Sequence, residues 1–515
     1  MSPGSGASVV RLLDAAPGAD EAPPPQASTA ELLCLGGDER LHLDPAGRAN
    51  RYGCAPRPDA GLIAFGSSTA STVSPAAFAA ADDLRMRILE DVVAGASPEA
   101  LYDDEVQRIR GELLSLYGLQ GAAEIILAPS GTDLHLIAGQ LIAADASIAP
   151  LAIIPEEAET GSGVPGALAG QGLQPVEVRA VAARAPDGRP RDPAAADAEV
   201  EALAEAAVAE GRQVLVVLID VSKTGLISPS PACALDLAAR HPGQVTVLVD
   251  ACQLRLSAAS LAAYLDRGAL VAVTGSKFLT GPAFSAALLV PPAAAARLKS
   301  RPAPPGLGSA SARADWPEGW TARERLPPMA NFGLVLRWQA ALTELASFAA
   351  VSQAQAAALA AVLERAVDEA LARHGELQPL EVRPLDRGLG ANPGWDAQKT
   401  IFPFLLRSGL SGRWLVPAET ARVWRLMRED LATEADGMSL QAHAAARLRI
   451  ELGQPVAAGS QRGAPVAALR LCLSSRLICE AAGSDPRAAS RLLSDARLAL
   501  AKAAWLAREV AAGRL

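Results

Sequence analysis

The sequence predicts an α/β chain: a mostly parallel seven-stranded sheet covered by helices on both faces, followed by a smaller C-terminal α+β domain. Three observations predict it. Between about 115 and 292, short apolar runs alternate with spans long enough for helices. A long Ala-rich helical stretch begins near 330. Beyond it, further apolar runs lead into a closing helical segment. At 515 residues the chain exceeds one hydrophobic core, so two packed units are expected.

Residues 1–30, including "GADEAPPPQAST", are polar, Pro-rich and patternless, and read as a disordered tail. Residues 31–115 read as an N-terminal segment packing on both domains, with a helix at 76–94 after the hydroxyl-rich "IAFGSSTASTVSP". The large domain spans 116–329. Its candidate strands are "EIILA" (124–128), "LAII" (151–154), "PVEVRAV" (175–181), "VLVVLI" (214–219), "VTVLV" (245–249), "LVAVT" (270–274) and "SAALLV" (285–290). Most are separated by helix-length spans, as parallel crossovers require. Only about ten residues separate the last two, so an antiparallel return is expected there. The Pro/Gly-rich 300–320 reads as a surface loop, with a lid as the alternative. The remainder, 330–515, reads as one long linking helix, strands near 377–385, 399–407, 446–453 and 467–474, and a helix over 486–511.

Bulk composition narrows the function. The formal net charge of -9 argues against a nucleic-acid surface and favours small-molecule partners. The six cysteines form no C-x-x-C pair and no ligand spacing with the five histidines, which argues against structural zinc and a disulfide framework. No uninterrupted apolar run approaches about 18 residues, so no membrane span is expected, and a cytoplasmic location is the simple reading.

The chemistry converges at strand carboxyl ends, where open α/β sheets bind ligands. Lys277 leaves a buried apolar run within the small-residue loop "TGSKFLTGP". A partly desolvated lysine has a depressed pKa and becomes a nucleophile able to form a Schiff base with an aldehyde. Asp250 closes the apolar run before it, and pyridoxal phosphate (PLP) sites pair such a lysine with an acid on the pyridine nitrogen. Gln253, three residues on, is a candidate to bond the cofactor's phenolic oxygen; the plainer reading is a helix-capping Asp250 with Gln253 exposed. Ser130, Gly131 and Thr132 open a helix whose free N–H groups and dipole suit a phosphate; the plainer reading is a helix cap. Asp133 beside them is a mild objection. Thr274 and Ser276 precede the lysine, and Ser276 adds a candidate phosphate contact.

With these residues in view, 120–292 resembles the fold-type I PLP enzymes, most of all the class V aminotransferase and cysteine desulfurase group. That group carries its acid in V-D-A-x-Q and its lysine in S-x-H-K before a Gly-Pro turn; this chain has "VDACQ" and "TGSKFLTGP". The resemblance implies a PLP-dependent transferase fold, with Asp250 on the pyridine nitrogen, Gln253 on the phenolic oxygen and Lys277 on the aldehyde. It places Ser130 through Thr132 and Ser276 on the phosphate. It also places Ser222, in "VSKTGLISP", where an asparagine usually bonds the cofactor. Arg470, in "AALRLCLSSRL", matches the arginine that grips the substrate carboxylate, with Arg476 as runner-up. Such sites usually form in a homodimer.

Departures from the pattern bear on the reaction. The loop "IIPEEAETGSGVPGAL" offers no aromatic to stack on the cofactor, leaving Glu159 or Thr160 in that place. Ser276 replaces a histidine, and 380–400 lacks the desulfurase cysteine. The expectation is an enzyme acting on an amino-acid or keto-acid substrate, aminotransferase first, with a lyase or aldolase-type reaction second and a non-catalytic PLP-binding protein a distant third. His135 reads as a satisfied core or rim histidine, and Ser67, Ser68 and Thr69 as a turn and helix cap, with a substrate contact as the alternative.

Overall fold

The computed structural model describes residues 26–515 apart from 145, 171–172, 305, 310, 391–393, 410–411 and 436–439. The expected tail therefore lies outside the described residues as far as 25. Its end is not a tail: Thr29–Leu32 is helical, closed by a capping box between Ser28 and Glu31.

Thirteen strands form two sheets among the described residues. They are β1 (Leu62–Phe65), β2 (Glu124–Ala128), β3 (Leu151–Pro155), β4 (Glu177–Val181), β5 (Val214–Asp220), β6 (Ile227–Ser228), β7 (Val245–Ala251), β8 (Leu270–Thr274), β9 (Ala286–Val290), β10 (Leu377–Pro379), β11 (Ile401–Leu406), β12 (Arg449–Gln461) and β13 (Ala464–Cys472). The larger sheet runs β2-β9-β8-β7-β5-β3-β4, with the two-residue β6 paired to β5. These seven strands are the seven read from sequence. The pairs β3–β4, β3–β5, β5–β7 and β7–β8 are parallel; of the seven, β9 alone reverses, antiparallel to β8 and β2, and the short β6 is antiparallel to β5.

Alternation explains why the central strands are apolar almost throughout, while the edge strand β4 carries a half-buried Glu177 and an exposed Arg179. Val214, Val216 and Leu218 of β5 enter one core with Val245, Val247 and Val249 of β7. Leu215 and Val217 enter a second core with Leu248, Leu134, Ile137 and Leu141 on the opposite face. A sheet buried on both faces needs apolar residues at every position.

The second sheet runs β1-β12-β13-β11-β10. Its edge is supplied by the N-terminal segment: β1 pairs parallel with β12, Leu62 opposite Arg449. β12 and β13 meet at Arg462-Gly463, both with positive φ (51° and 81°), the backbone of a two-residue primed turn. Two expectations are corrected here. The long linking helix is two helices, Phe332–Ala349 and Gln353–Arg373, set 96° apart, the second started by a Ser352–Gln355 capping box. The 300–320 segment is no free excursion, because Trp316 and Trp320 are each 1% exposed within the second core. Among the described residues no single helix is long and apolar enough to cross a membrane.

Candidate active site

A cavity of about 650 Å³ opens at the carboxyl ends of the large sheet and is walled on its other side by β12, β13 and the N-terminal segment. Lys277, Asp250, Ser130, Gly131, Thr132, Thr274, Ser276 and Arg470 all line it. Strand register explains the convergence: β7 and β8 are hydrogen-bonded neighbours, so the residues leaving their ends emerge side by side.

The loop bearing Lys277 is clamped at several points. Phe278 stacks on Trp395 at 4.6 Å, and its carbonyl accepts from the Ser475 N–H and hydroxyl, both at 2.9 Å. Gly275 donates to Ser285 O at 2.8 Å and packs so closely that a Cβ there would lie 2.5 Å from Ala341 Cβ. Lys277 itself is half-buried.

Asp250 is fully buried and ion-paired. Its Oδ2 lies 3.4 Å from His135 Nε2 and accepts from Thr160 Oγ1 at 3.2 Å, while Oδ1 accepts from Cys252 N at 3.1 Å. His135 Nδ1 faces Gly131 O at 2.7 Å; since a carbonyl only accepts, the ring donates there. Burial opposes the charge on both partners, yet their attraction outweighs it. His135 is therefore raised and Asp250 held well below the usual carboxylate range, with the Lys277 ammonium adding to the effect on Asp250. His135, read as a satisfied core or rim histidine, is buried on the cavity wall, where its attraction favours the ionised acid.

At the start of Gly131–Ala143, Ser130 is the N-cap, and its N–H and hydroxyl both donate to Asp133 Oδ2 at 2.9 and 2.7 Å. The cap reading and the cavity-lining reading thus hold together. Asp133 folds back on its own helix end and is absent from the cavity wall, and burial raises its carboxyl against the pull of Ser130 and Arg40. Arg40 brings a cation to this end: it is doubly bonded to Asp38, lies 4.8 Å over the Phe284 ring and reaches Ser130 Oγ at 3.5 Å.

Two sequence-derived positions do not reach the wall. Gln253 donates from Nε2 to Ser68 O at 3.0 Å, stitching the hydroxyl-rich segment onto the end of β7, with Oε1 buried and unpartnered. Ser222 donates to Glu159 at 2.6 Å and accepts from Leu226 N at 2.9 Å. Glu159 is itself fully buried, bonded to Arg184 at 2.7 Å and to Thr224, so neither it nor Thr160 presents a side chain to the cavity; Ala158 does. The residue after Ser222, Lys223, lines the cavity instead.

Arg470 is 2% exposed and donates to Lys223 O (3.2 Å), Thr69 Oγ1 (2.9 Å) and Gln454 O (2.6 Å). Its Nε has no partner among the described residues. Desolvation lowers it to about 10, which leaves it cationic at neutral pH. The "LGQPV" segment earns its shape here: a register shift between Gly453 and Val456 bulges β12 and turns the Gln454 carbonyl onto Arg470. A Cβ at Gly453 would meet Ser68 Oγ at 2.5 Å and Arg470 Nε at 3.0 Å. Arg476, by contrast, is committed to Glu344, Thr72 O and Thr280 O.

Sequence reasoning undervalued Ser68 and Thr69, which line the cavity, while the helix cap is Ser74. It missed Arg40, Gln454 and Lys223, the last although it stands beside Ser222 in "VSKTGLISP". Tyr52 is also on the wall, whereas Arg51 is exposed and absent from it.

No protein-family model and no curated protein matches this sequence. Solved structures do. The complex of the cystine C–S lyase C-DES with its reaction product cysteine persulfide is 16% identical with a TM-score of 0.51, over 85% of this chain and 98% of that one. A NifS-like protein is 12% identical with a TM-score of 0.51, over the same 85% and 98%. A lysine-to-alanine variant of C-DES, with glycine covalently linked to its PLP cofactor, is 17% identical with a TM-score of 0.52, over 86% and 99%. At these identities the likeness establishes the fold, that of the fold-type I PLP-dependent enzymes.

Proposed function

We propose that this chain is a PLP-dependent enzyme acting on an amino-acid substrate, of aminotransferase type. One observation carries the reading: a lysine, an ion-paired aspartate and a buried arginine with a free N–H converge on one cavity in this fold. The residues present fit the cofactor. Lys277 Nζ is the amine for its aldehyde, Asp250 the counter-charge for its ring nitrogen, and the start of Gly131–Ala143, with Thr132, Ser276 and Arg40, the seat for its phosphate. Ser276 suits that task because its own hydrogen bond, to Thr274 Oγ1, is long at 3.4 Å. Gln253 and Ser222 support the wall from behind.

PLP, when bound, supplies the electron sink that stabilises a carbanion at the substrate Cα. The chain does the rest. Arg470 would receive the α-carboxylate and orient Cα, and the amine of Lys277 would move the Cα proton as general base and acid. Asp250 stays ionised because His135 holds it so. A homodimer and a cytoplasmic location belong to the same proposal.

A lyase reaction is the second reading, favoured by the likeness to a C–S lyase. A single-turnover experiment without added keto acid separates the two. Aminotransfer releases one equivalent of keto acid and no ammonia, then stops. Elimination releases both and continues. Failure of every amino acid to give either product would count against both readings.

A further inference from the structure

The substrate end of the cavity holds more positive charge than one carboxylate can neutralise. Lys223, at the turn between β5 and β6, lines the cavity beside Arg470, whose guanidinium donates to the Lys223 carbonyl at 3.2 Å. Its Nζ donates to the Glu157 carbonyl at 3.1 Å and forms no ion pair with a described carboxylate. The acids in range are otherwise engaged or turned to solvent. Glu159 is bonded to Arg184, Ser222 and Thr224, Asp250 is paired with His135, and Glu157, the one other described acid on the cavity wall, is exposed to solvent. Desolvation, together with the charges of Arg470 and Lys277, lowers Lys223 to about 8, against weaker support from Glu159 and Glu157. Two neighbouring cations with no ion pair to a described carboxylate, supported only more weakly by Glu157 and Glu159, form a cavity that one carboxylate leaves unbalanced.

We infer that this site takes an amino acid bearing a second anionic group, with Arg470 receiving the α-carboxylate and Lys223 the distal acid. The inference rests on the proposed PLP reading and names its substrate class. An ammonium is a point donor suited to a carboxylate, sulfonate or phosphate alike, so the shared requirement is distal negative charge.

The test is absorbance titration of PLP-loaded protein at pH 7 with L-aspartate against L-asparagine, and L-glutamate against L-glutamine. Wild type is expected to bind each acid at least about tenfold more tightly than its amide, the worth of a hydrogen bond to a charged group. K223Q should abolish that ratio while keeping affinity for the amides, and K223R should restore it. Raising the pH above about 8 should erode the wild-type ratio as Lys223 loses its proton. Equal affinity for acid and amide in wild type, or a ratio that survives in K223Q, overturns the inference. If no amino acid changes the spectrum and borohydride fixes nothing on Lys277, the PLP reading fails and this inference falls with it.

Discussion

Replacing Arg470 by glutamine tests whether the buried guanidinium is there for a carboxylate. Its three hydrogen bonds all go to neutral acceptors, Lys223 O, Thr69 Oγ1 and Gln454 O, and its Nε is left over. A bond from a charged donor such as that Nε to a carboxylate contributes about 1.5 to 3 kcal/mol, so losing it costs about that much. That is roughly a 10- to 150-fold loss of affinity. The fold should suffer far less, by about 1 kcal/mol, because removing a desolvated charge offsets the lost bonds. The assay is absorbance titration with an amino acid and with the matching amine that lacks the carboxylate. Wild type should prefer the amino acid strongly, and R470Q should bind the two about equally while melting near the wild-type temperature. If R470Q keeps the preference, Arg470 does not bind the carboxylate and the reasoning from its unpaired charge is wrong.

Gly275→Ala forces a methyl against Ala341 Cβ and Ser285 Oγ, so it should destabilise by about 1 to 3 kcal/mol in thermal melts and weaken PLP uptake by displacing Lys277. Lys502, fully buried, donates to the carbonyls of Met427, Glu429 and Leu448; K502M should lower the melting temperature by an amount worth about 2 to 3 kcal/mol without changing the PLP spectrum. Asp250→Asn removes the charge that raises His135, so NMR titration should show that imidazole losing its proton at lower pH than in wild type. Because the folded carboxyl of Asp250 is depressed, its contribution to stability is present above the ordinary aspartate pKa of about 4 and fades as the pH falls below it. Acid melts of wild type should show that loss, and D250N should not.

The large sheet was legible because its strands are buried on both faces. The central ones read as nearly unbroken apolar runs, and the short β8–β9 link announced the reversal of β9. Lys277 and Asp250 were legible for a related reason, being polar residues at the ends of such runs. What escaped is non-local. The bend at Ala350–Ser352 lies in a stretch of uniformly high helix propensity, where only Ser352 marks the new start. β1 pairs with β12 across nearly the whole chain, and that pairing sets Ser68 and Thr69 against Arg470. Gln253 and Ser222 followed a family motif, but Gln253 Nε2 donates to Ser68 O, the Ser222 hydroxyl donates to Glu159, and neither side chain lines the cavity. His135 sits among leucines in sequence, and only the fold brings it to Asp250.

The most direct test of the account is borohydride reduction of PLP-loaded protein followed by peptide mapping. Two cavity lysines compete for the aldehyde, Lys223 and Lys277. The account predicts a single pyridoxyl-phosphate adduct on Lys277, lost in K277A. An adduct on Lys223, or no covalent label at all, would contradict it.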